Sequence, residues 1–375
     1  MTNPSISRST HDNFEVVTID TGPLSLSLLP ELGGKLSSLR DARTGREWLW
    51  RNPRLGYQRM PYGASYVETA DTGGWDECFP TVAPCDYPSA PWQGAHLQDH
   101  GELWSQPALL ELVGGGREVG LYTRWEGVML PYSFERTITL SAGSARIRFE
   151  YGINSHADAP LQFIWSAHPV LAIEPGMNLR LPPAATFNRG SSIPADLFPA
   201  DSGLRFPSES APSAAGSSQA AGAAQSPQGH APAADAAASA PGGMPHGSGV
   251  GVHEAGASVP PGVLNLASLP DAGARIALKL WSDPLAEGWA ALRARDGELR
   301  MSWDPALLPQ VGFWINLGAW AGDGGTPYYN LGLEPCIGAQ DSLADAVQRK
   351  LFASLPPHGS RAWWLEVELS EQHAA

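Results

Sequence analysis

Short runs of alternating apolar and polar residues fill most of the chain. FERTITL (134–140) and RIRFEYGI (146–153) alternate with period two, the signature of a strand with one buried face. Similar runs stand at FEVVTID (14–20), LSLSLLPEL (24–32), REWLW (46–50), EVGLYTRWEG (118–127) and LQFIWSAHPVLAI (161–173). They resume at RIALKLWS (275–282), GWAALRARDGELRMSWD (288–304), VGFWINLGAW (311–320) and WWLEVELS (363–370). Turn signals such as AGSA, RDGE and GDGG separate them. Only DSLADAVQRK (341–350) reads as a helix, with Asp341 and Ser342 suited to its start. Many short strands with few helices predict an all-β protein, a large antiparallel sandwich or barrel.

One stretch breaks the pattern. Residues 207–262 are dominated by Ala, Gly, Ser and Pro, with no aromatic residue and three charges, Glu209, Asp235 and Glu254. Such a segment cannot bury enough apolar surface to offset the entropy of ordering it. It reads as a disordered surface insertion rather than a linker, because the strand patterning on its two sides has the same character. Residues 1–12 are polar and read as a flexible N-terminus. The expected organisation is therefore a single domain over 13–375, interrupted at 207–262.

Charge narrows the partners. Lys and Arg number 24 against 38 Asp and Glu, for a net charge of −14. A phosphate backbone or an anionic bilayer calls for a basic stripe, so neither nucleic acid nor a membrane is expected as a partner. No apolar run approaches the roughly 18 residues of a membrane span. MTNPSISRSTHDNF has no apolar core of the secretory type, and three Cys are too few for a disulfide framework. A soluble, reducing, cytoplasmic setting is the simplest expectation. Oligomeric state is left at monomer or homodimer. Trp is over-represented at 14. Indole faces flanked by polar groups suit the apolar C–H faces and hydroxyls of sugars, so a small carbohydrate is the expected partner.

Four segments place titratable residues where a strand meets a loop, the usual seat of chemistry on a rigid β scaffold. GGWDECFPTVAPC (73–85) carries Asp76 and Glu77, which point to opposite faces if extended, so at most one reaches a shared site. HLQDHGELW (96–104) carries His96, Asp99, His100 and Glu102. His168 ends the apolar run FIWSAHPV, where an isolated histidine more simply reads as a core residue with its hydrogen bonds satisfied. Glu334 lies in YYNLGLEPCIG, an apolar, glycine-flanked run in which a carboxylate is costly unless paired. A structural ion pair is the competing reading there. Trp75, Trp104, Trp165, Trp314 and Trp320 neighbour these segments, against ordinary core packing as the alternative. His96 and His100 are four apart, but LQDHG is a poor helix and neither HExxH nor paired-Cys spacing occurs. Phosphate-loop and nucleophile-elbow motifs do not occur either.

LPELGGKLSSLRDARTGREWLW (29–50) resembles the opening hairpin of the aldose 1-epimerases, the galactose mutarotase-like family. DHGELWSQP (99–107) is similar to that family's first histidine segment, SAHPVL (166–171) to its second, and GLEPCIGAQDS (332–342) to its glutamate segment. The resemblance implies a galactose mutarotase-like supersandwich and metal-free, cofactor-free interconversion of the α and β anomers of a sugar. It implies Glu334 as base, His168 as acid and His100 as a hydrogen-bond donor near the ring oxygen. Asp76 is a candidate substrate ligand, with Trp75, Trp104, Trp165 and Trp314 around it. Departures from the family pattern, Asp99-His100-Gly101 and His168-Pro169-Val170, mark a divergent branch. A non-catalytic carbohydrate-binding protein on the same scaffold is the alternative. So is a hexose-6-phosphate epimerase, for which Arg51, Arg54 and Arg59 would have to hold the phosphate.

Overall fold

Strands account for nearly all the regular structure. The computed structural model describes residues 3–183, 185–195, 197, 204–205 and 268–371. The insertion expected at 207–262 lies outside these residues. In chain order the strands begin with β1 (Ser5–His11), β2 (Phe14–Asp20), β3 (Leu24–Leu29), β4 (Lys35–Asp41), β5 (Gly74–Cys78), β6 (Cys85–Asp86) and β7 (His96–Leu97). Then come β8 (Leu109–Gly115), β9 (Glu118–Glu126), β10 (Tyr132–Ser141), β11 (Arg146–Ser155), β12 (Leu161–Phe163), β13 (Trp165–Ala172), β14 (Asn178–Arg180) and β15 (Thr186–Ile193). The last are β16 (Leu204–Arg205), β17 (Ile276–Ser282), β18 (Trp289–Arg293), β19 (Gly297–Trp303), β20 (Gln310–Leu317), β21 (Tyr329–Ile337), β22 (Ala353–Leu355) and β23 (Ser360–Glu371). The helix α1 (Leu343–Arg349) precedes β22, and Ser342 caps it by accepting from the Asp345 amide at 3.3 Å.

Two large antiparallel sheets face each other, so the sandwich form holds and the barrel form does not. The first has eleven strands in the order β1-β2-β3-β4-β5-β13-β21-β20-β17-β15-β16; the second has eight, β14-β18-β19-β23-β11-β10-β9-β8. Alternation along β10 and β11 puts Phe134, Ile138, Phe149 and Ile153 into the layer between the sheets. There Trp75 of β5 stacks on Phe149 of β11, with ring centroids 4.7 Å apart.

Several elements differ from their sequence signals. Residues 5–11 are not a loose end; they form β1, which pairs along its length with β2. LQFIWSAHPVLAI divides into β12 and β13, which belong to different sheets. REWLW forms only isolated bridges through Glu47 and Leu49. β8 carries almost no buried residue, because it is an edge strand. It therefore lacks the alternation that marks its neighbours. Among the described residues no helix is long and apolar enough to cross a membrane.

Candidate functional site

Three adjacent strands at the middle of the eleven-stranded sheet carry the residues that converge. Asp76 on β5 pairs directly with His168 on β13. β13 and β21 pair as Ser166↔Cys336 and Val170↔Gly332, a register that sets Glu334 across from His168. Side chains of directly opposed residues share a face, with Cβ atoms about 4.5–5.5 Å apart. Asp76, His168 and Glu334 thus form one row on the face turned away from the second sheet. Glu77 points the other way, into the layer between the sheets. There Arg136 donates to its Oε1 at 3.1 Å, Tyr151 at 3.0 Å, and the Trp165 indole to its Oε2 at 3.2 Å.

His100 reaches the row from a loop. Its backbone has φ +59°, and Gly101 follows with φ +74°. A Cβ at Gly101 would lie 2.1 Å from the Phe79 carbonyl, so only glycine lets this loop seat against β5. The His100 ring lies edge-on to His168, with centroids 4.8 Å apart. Asp99 Oδ1 meets His100 Nδ1 at 2.8 Å, and Asp99 Oδ2 accepts from the Tyr66 and Val67 amides at 3.1 and 3.3 Å.

The two imidazoles are driven apart electrostatically. Burial disfavours charge on His100, but the Asp99 carboxylate and its hydrogen bond outweigh that and hold its pKa above the ordinary value. Burial pushes His168 well below its ordinary value, and the neighbouring His100 and Lys279 push the same way. Asp99→Asn should therefore lower the His100 pKa, since burial then acts unopposed by the adjacent charge. Titration of the imidazole proton resonances by NMR checks this; an unchanged midpoint would contradict it.

Glu334 is half engaged. Lys279 of β17 donates to its Oε2 at 2.5 Å, while Oε1 is buried without a partner. Burial works against the Lys279 charge, but Glu334 and Asp341 more than offset it and raise its pKa. Gly332 and Gly312 leave a gap in the side-chain layer over this carboxylate. A Cβ at Gly332 would lie 2.7 Å from Oε1. His168 Nδ1 and Asp76 Oδ1 are likewise buried and unpartnered. The other Asp76 oxygen accepts from Lys35 Nζ and, at 2.6 Å, from the Tyr66 hydroxyl.

Tyr66 lies among these groups, on a five-residue π-helical turn (Tyr66–Ala70). Its ring stacks on His100 at 4.0 Å and meets His168 edge-on at 6.1 Å. Two small cavities adjoin the row, about 10 Å³ beside Glu334 and about 20 Å³ beside Lys35 and Tyr66. Each has room for about one water. The Tyr66 ring fills the space beside His100 and His168, and neither cavity has room for a sugar ring.

The structure separates the four tryptophans expected around the substrate. Trp104 borders Tyr66 edge-on at 5.2 Å and donates to the Asp99 carbonyl. Trp314 stands across from Gly332 on the Glu334 face. Trp75 and Trp165 do not reach the site. Both are buried between the sheets, Trp75 against Phe149 and Trp165 against Trp363. Strand parity is the reason, since both hold odd-numbered positions on strands whose even positions face the site. Glu102 serves the loop frame, accepting from the Val128 and Met129 amides and the Tyr132 hydroxyl. His96 is exposed beside Asp86. The three arginines considered for a phosphate are each committed to their own carboxylate: Arg51 to Asp12, Arg54 to Asp323 and Arg59 to Glu31. Lys35, Tyr66 and Lys279 are the site residues that the motifs do not single out.

No protein-family description matches the chain by sequence, and no curated protein sequence does. Solved structures do match. A protein of Klebsiella pneumoniae provisionally named an aldose 1-epimerase superposes with a TM-score of 0.62 at 14% identity, covering 97% of this chain and 83% of its own. A galactose mutarotase-like protein of Clostridium acetobutylicum gives 0.61 at 10%, over 99% of each chain. One of Lactobacillus casei gives 0.57 at 12%, over 94% and 99%. The structural neighbours are mainly aldose 1-epimerase and galactose mutarotase-like proteins, and the chain has the galactose mutarotase-like sandwich fold.

Proposed function

We propose that this protein interconverts the α and β anomers of a sugar by general acid–base ring opening. The observation that carries the reading is the pairing of idle atoms: Glu334 Oε1 and His168 Nδ1 are buried, unpartnered and set across from each other on one sheet face. Mutarotation needs one group to take a proton and one to give it, then the reverse. Glu334 Oε1 removes the proton of the anomeric hydroxyl. The C1–O5 bond breaks as O5 takes a proton from the imidazole pair. The aldehyde turns about C1–C2, and the ring closes on its other face with the roles exchanged. His168 stands opposite Glu334, and His100, biased toward its protonated form by Asp99, lies beside it. Asp76 is placed to hold a sugar hydroxyl, and Trp104 and Trp314 to border the ring.

The Lys279–Glu334 ion pair favours a second reading, a non-catalytic carbohydrate-binding protein, because it commits one oxygen of the carboxylate to a contact within the protein. The test is acceleration of mutarotation across a panel of α-aldoses, with and without phosphate, followed by polarimetry or NMR. The catalytic reading expects at least one sugar to be accelerated. Sugar binding without acceleration of any panel member would support the second reading instead. Since Arg51, Arg54 and Arg59 are already paired, unphosphorylated sugars are expected to react at least as well as their 6-phosphates.

A further inference from the structure

Cys78, His100 and His168 bring one thiol and two imidazoles to a single point. Their nearest ligand atoms all lie within 4.8 Å of one another. The sequence gives no hint of this, because the three come from β5, a loop and β13 and share no motif spacing. Strand register creates it: Cys78 pairs with Ser166, two residues from His168, on the same face as Asp76. We infer that these three side chains form a binding site for a borderline transition-metal ion of the Zn²⁺ type, with a fourth coordination position open to water or a sugar oxygen.

Three further observations point to a ligand. His168 Nδ1 is buried with no hydrogen-bond partner in a residue only 8% exposed, an arrangement that a metal would satisfy. His100 has its Nδ1 engaged by Asp99 at 2.8 Å, which leaves Nε2 as the free donor atom. A carboxylate behind a histidine in this way fixes the ring and its tautomer and is the usual support of a metal-bound imidazole. Asp99 is itself anchored by two backbone amides, so the support is rigid. Zinc is held at about 2.0–2.1 Å by nitrogen and about 2.3 Å by sulfur, which asks the three donors to close in by roughly 1 Å. One thiolate with two imidazoles selects Zn²⁺, Co²⁺ or copper over Mg²⁺ and Ca²⁺, which take oxygen ligands. On binding, the Cys78 S–H bond breaks, the sulfur binds the metal, and the proton leaves to solvent.

Occupancy would take both imidazoles out of proton transfer, so the ion should act as an inhibitor of anomer interconversion. The inhibition rests on the catalytic reading above; the binding does not. The experiment titrates chelator-stripped full-length protein with Co²⁺, then competes it off with Zn²⁺. Expected are one equivalent bound, tetrahedral visible bands and a thiolate-to-cobalt charge-transfer band that Cys78→Ser abolishes. Asp99→Asn should weaken Zn²⁺ binding by about 10–100-fold, the usual effect of losing an outer-shell partner, and Cys78→Ser by more. A wild-type spectrum without the charge-transfer band, or equal Zn²⁺ affinity in wild type and Cys78→Ser, overturns the site; the wild-type spectrum decides even if a variant fails to fold. Zn²⁺ should also slow mutarotation by the wild type, relative to its own metal-free rate, at concentrations that leave Cys78→Ala unaffected. Metal binding by a protein that accelerates no sugar would uphold the site and defeat only the catalytic reading.

Discussion

Glu334→Gln is expected to slow anomer interconversion by roughly 10²–10⁴-fold, the range typical of losing one positioned proton-transfer group. That corresponds to about 3–5 kcal/mol of transition-state stabilisation. The amide keeps the shape of the side chain and can still accept from Lys279, so Tyr66, Trp314 and the glycine gap around it should stay in place. It cannot take the anomeric proton. The loss should therefore fall on kcat rather than KM. Polarimetry of the two purified proteins on the most responsive sugar, at matched fold by circular dichroism, gives the answer. Equal rates would remove Glu334 from the chemistry and leave the Lys279–Glu334 pair as a structural one.

The largest expected effect on stability lies on the other face of β5. Glu77 and Arg136 are both fully buried, and Glu77 also accepts from Tyr151 and Trp165. Arg136 donates further to the Gly34 carbonyl at 2.6 Å and lies over the Trp125 ring. Removing one member of such a pair strands the other charge without water, which costs about 3–5 kcal/mol. Glu77→Gln should therefore lower the free energy of unfolding by that amount. At about 2.1 cal/mol/K of unfolding entropy per residue, the melting temperature falls by roughly 4–8 °C. Replacing both residues with Met should recover most of the loss, since a well-packed apolar pair replaces a buried ion pair at little net cost. Denaturant titration of the two single variants and the double variant measures this; a Glu77→Gln loss below about 1 kcal/mol would show that Arg136 finds another partner.

Strand alternation made the sandwich readable, because period-two patterning is a local property and β10, β11 and β23 display it over many residues. Edge strands were less readable. β1 is exposed throughout, and nothing in a polar heptapeptide distinguishes a paired edge from a free end. The parity of β5 was legible, and it sends Asp76 and Glu77 to opposite faces. The same parity excludes Trp75 and Trp165, although both lie in the segments that carry site residues. The chain has only three lysines against many arginines, and two of them lie on strands, Lys279 inside the apolar run IALKLWS and Lys35 directly after a glycine pair. A compact ammonium fits where a guanidinium fork does not, and both prove to be buried beside Asp76 and Glu334. The meeting of Cys78 with the two histidines depends on strand order and a loop in three dimensions, which no local pattern encodes.

Tyr66 carries a six-membered ring with a hydroxyl at one end, seated against His100 with that hydroxyl on Asp76. In form it is a tethered surrogate for a sugar. On the function proposed above, a pyranose seated beside His100 and Asp76 would compete with it, and the tether keeps its local concentration far above that of a free ligand. The apparent affinity for sugar is then the intrinsic affinity scaled by the fraction of molecules in which Tyr66 has vacated the site. Weak sugar affinity in this protein would thus reflect an occupied seat rather than a poor one.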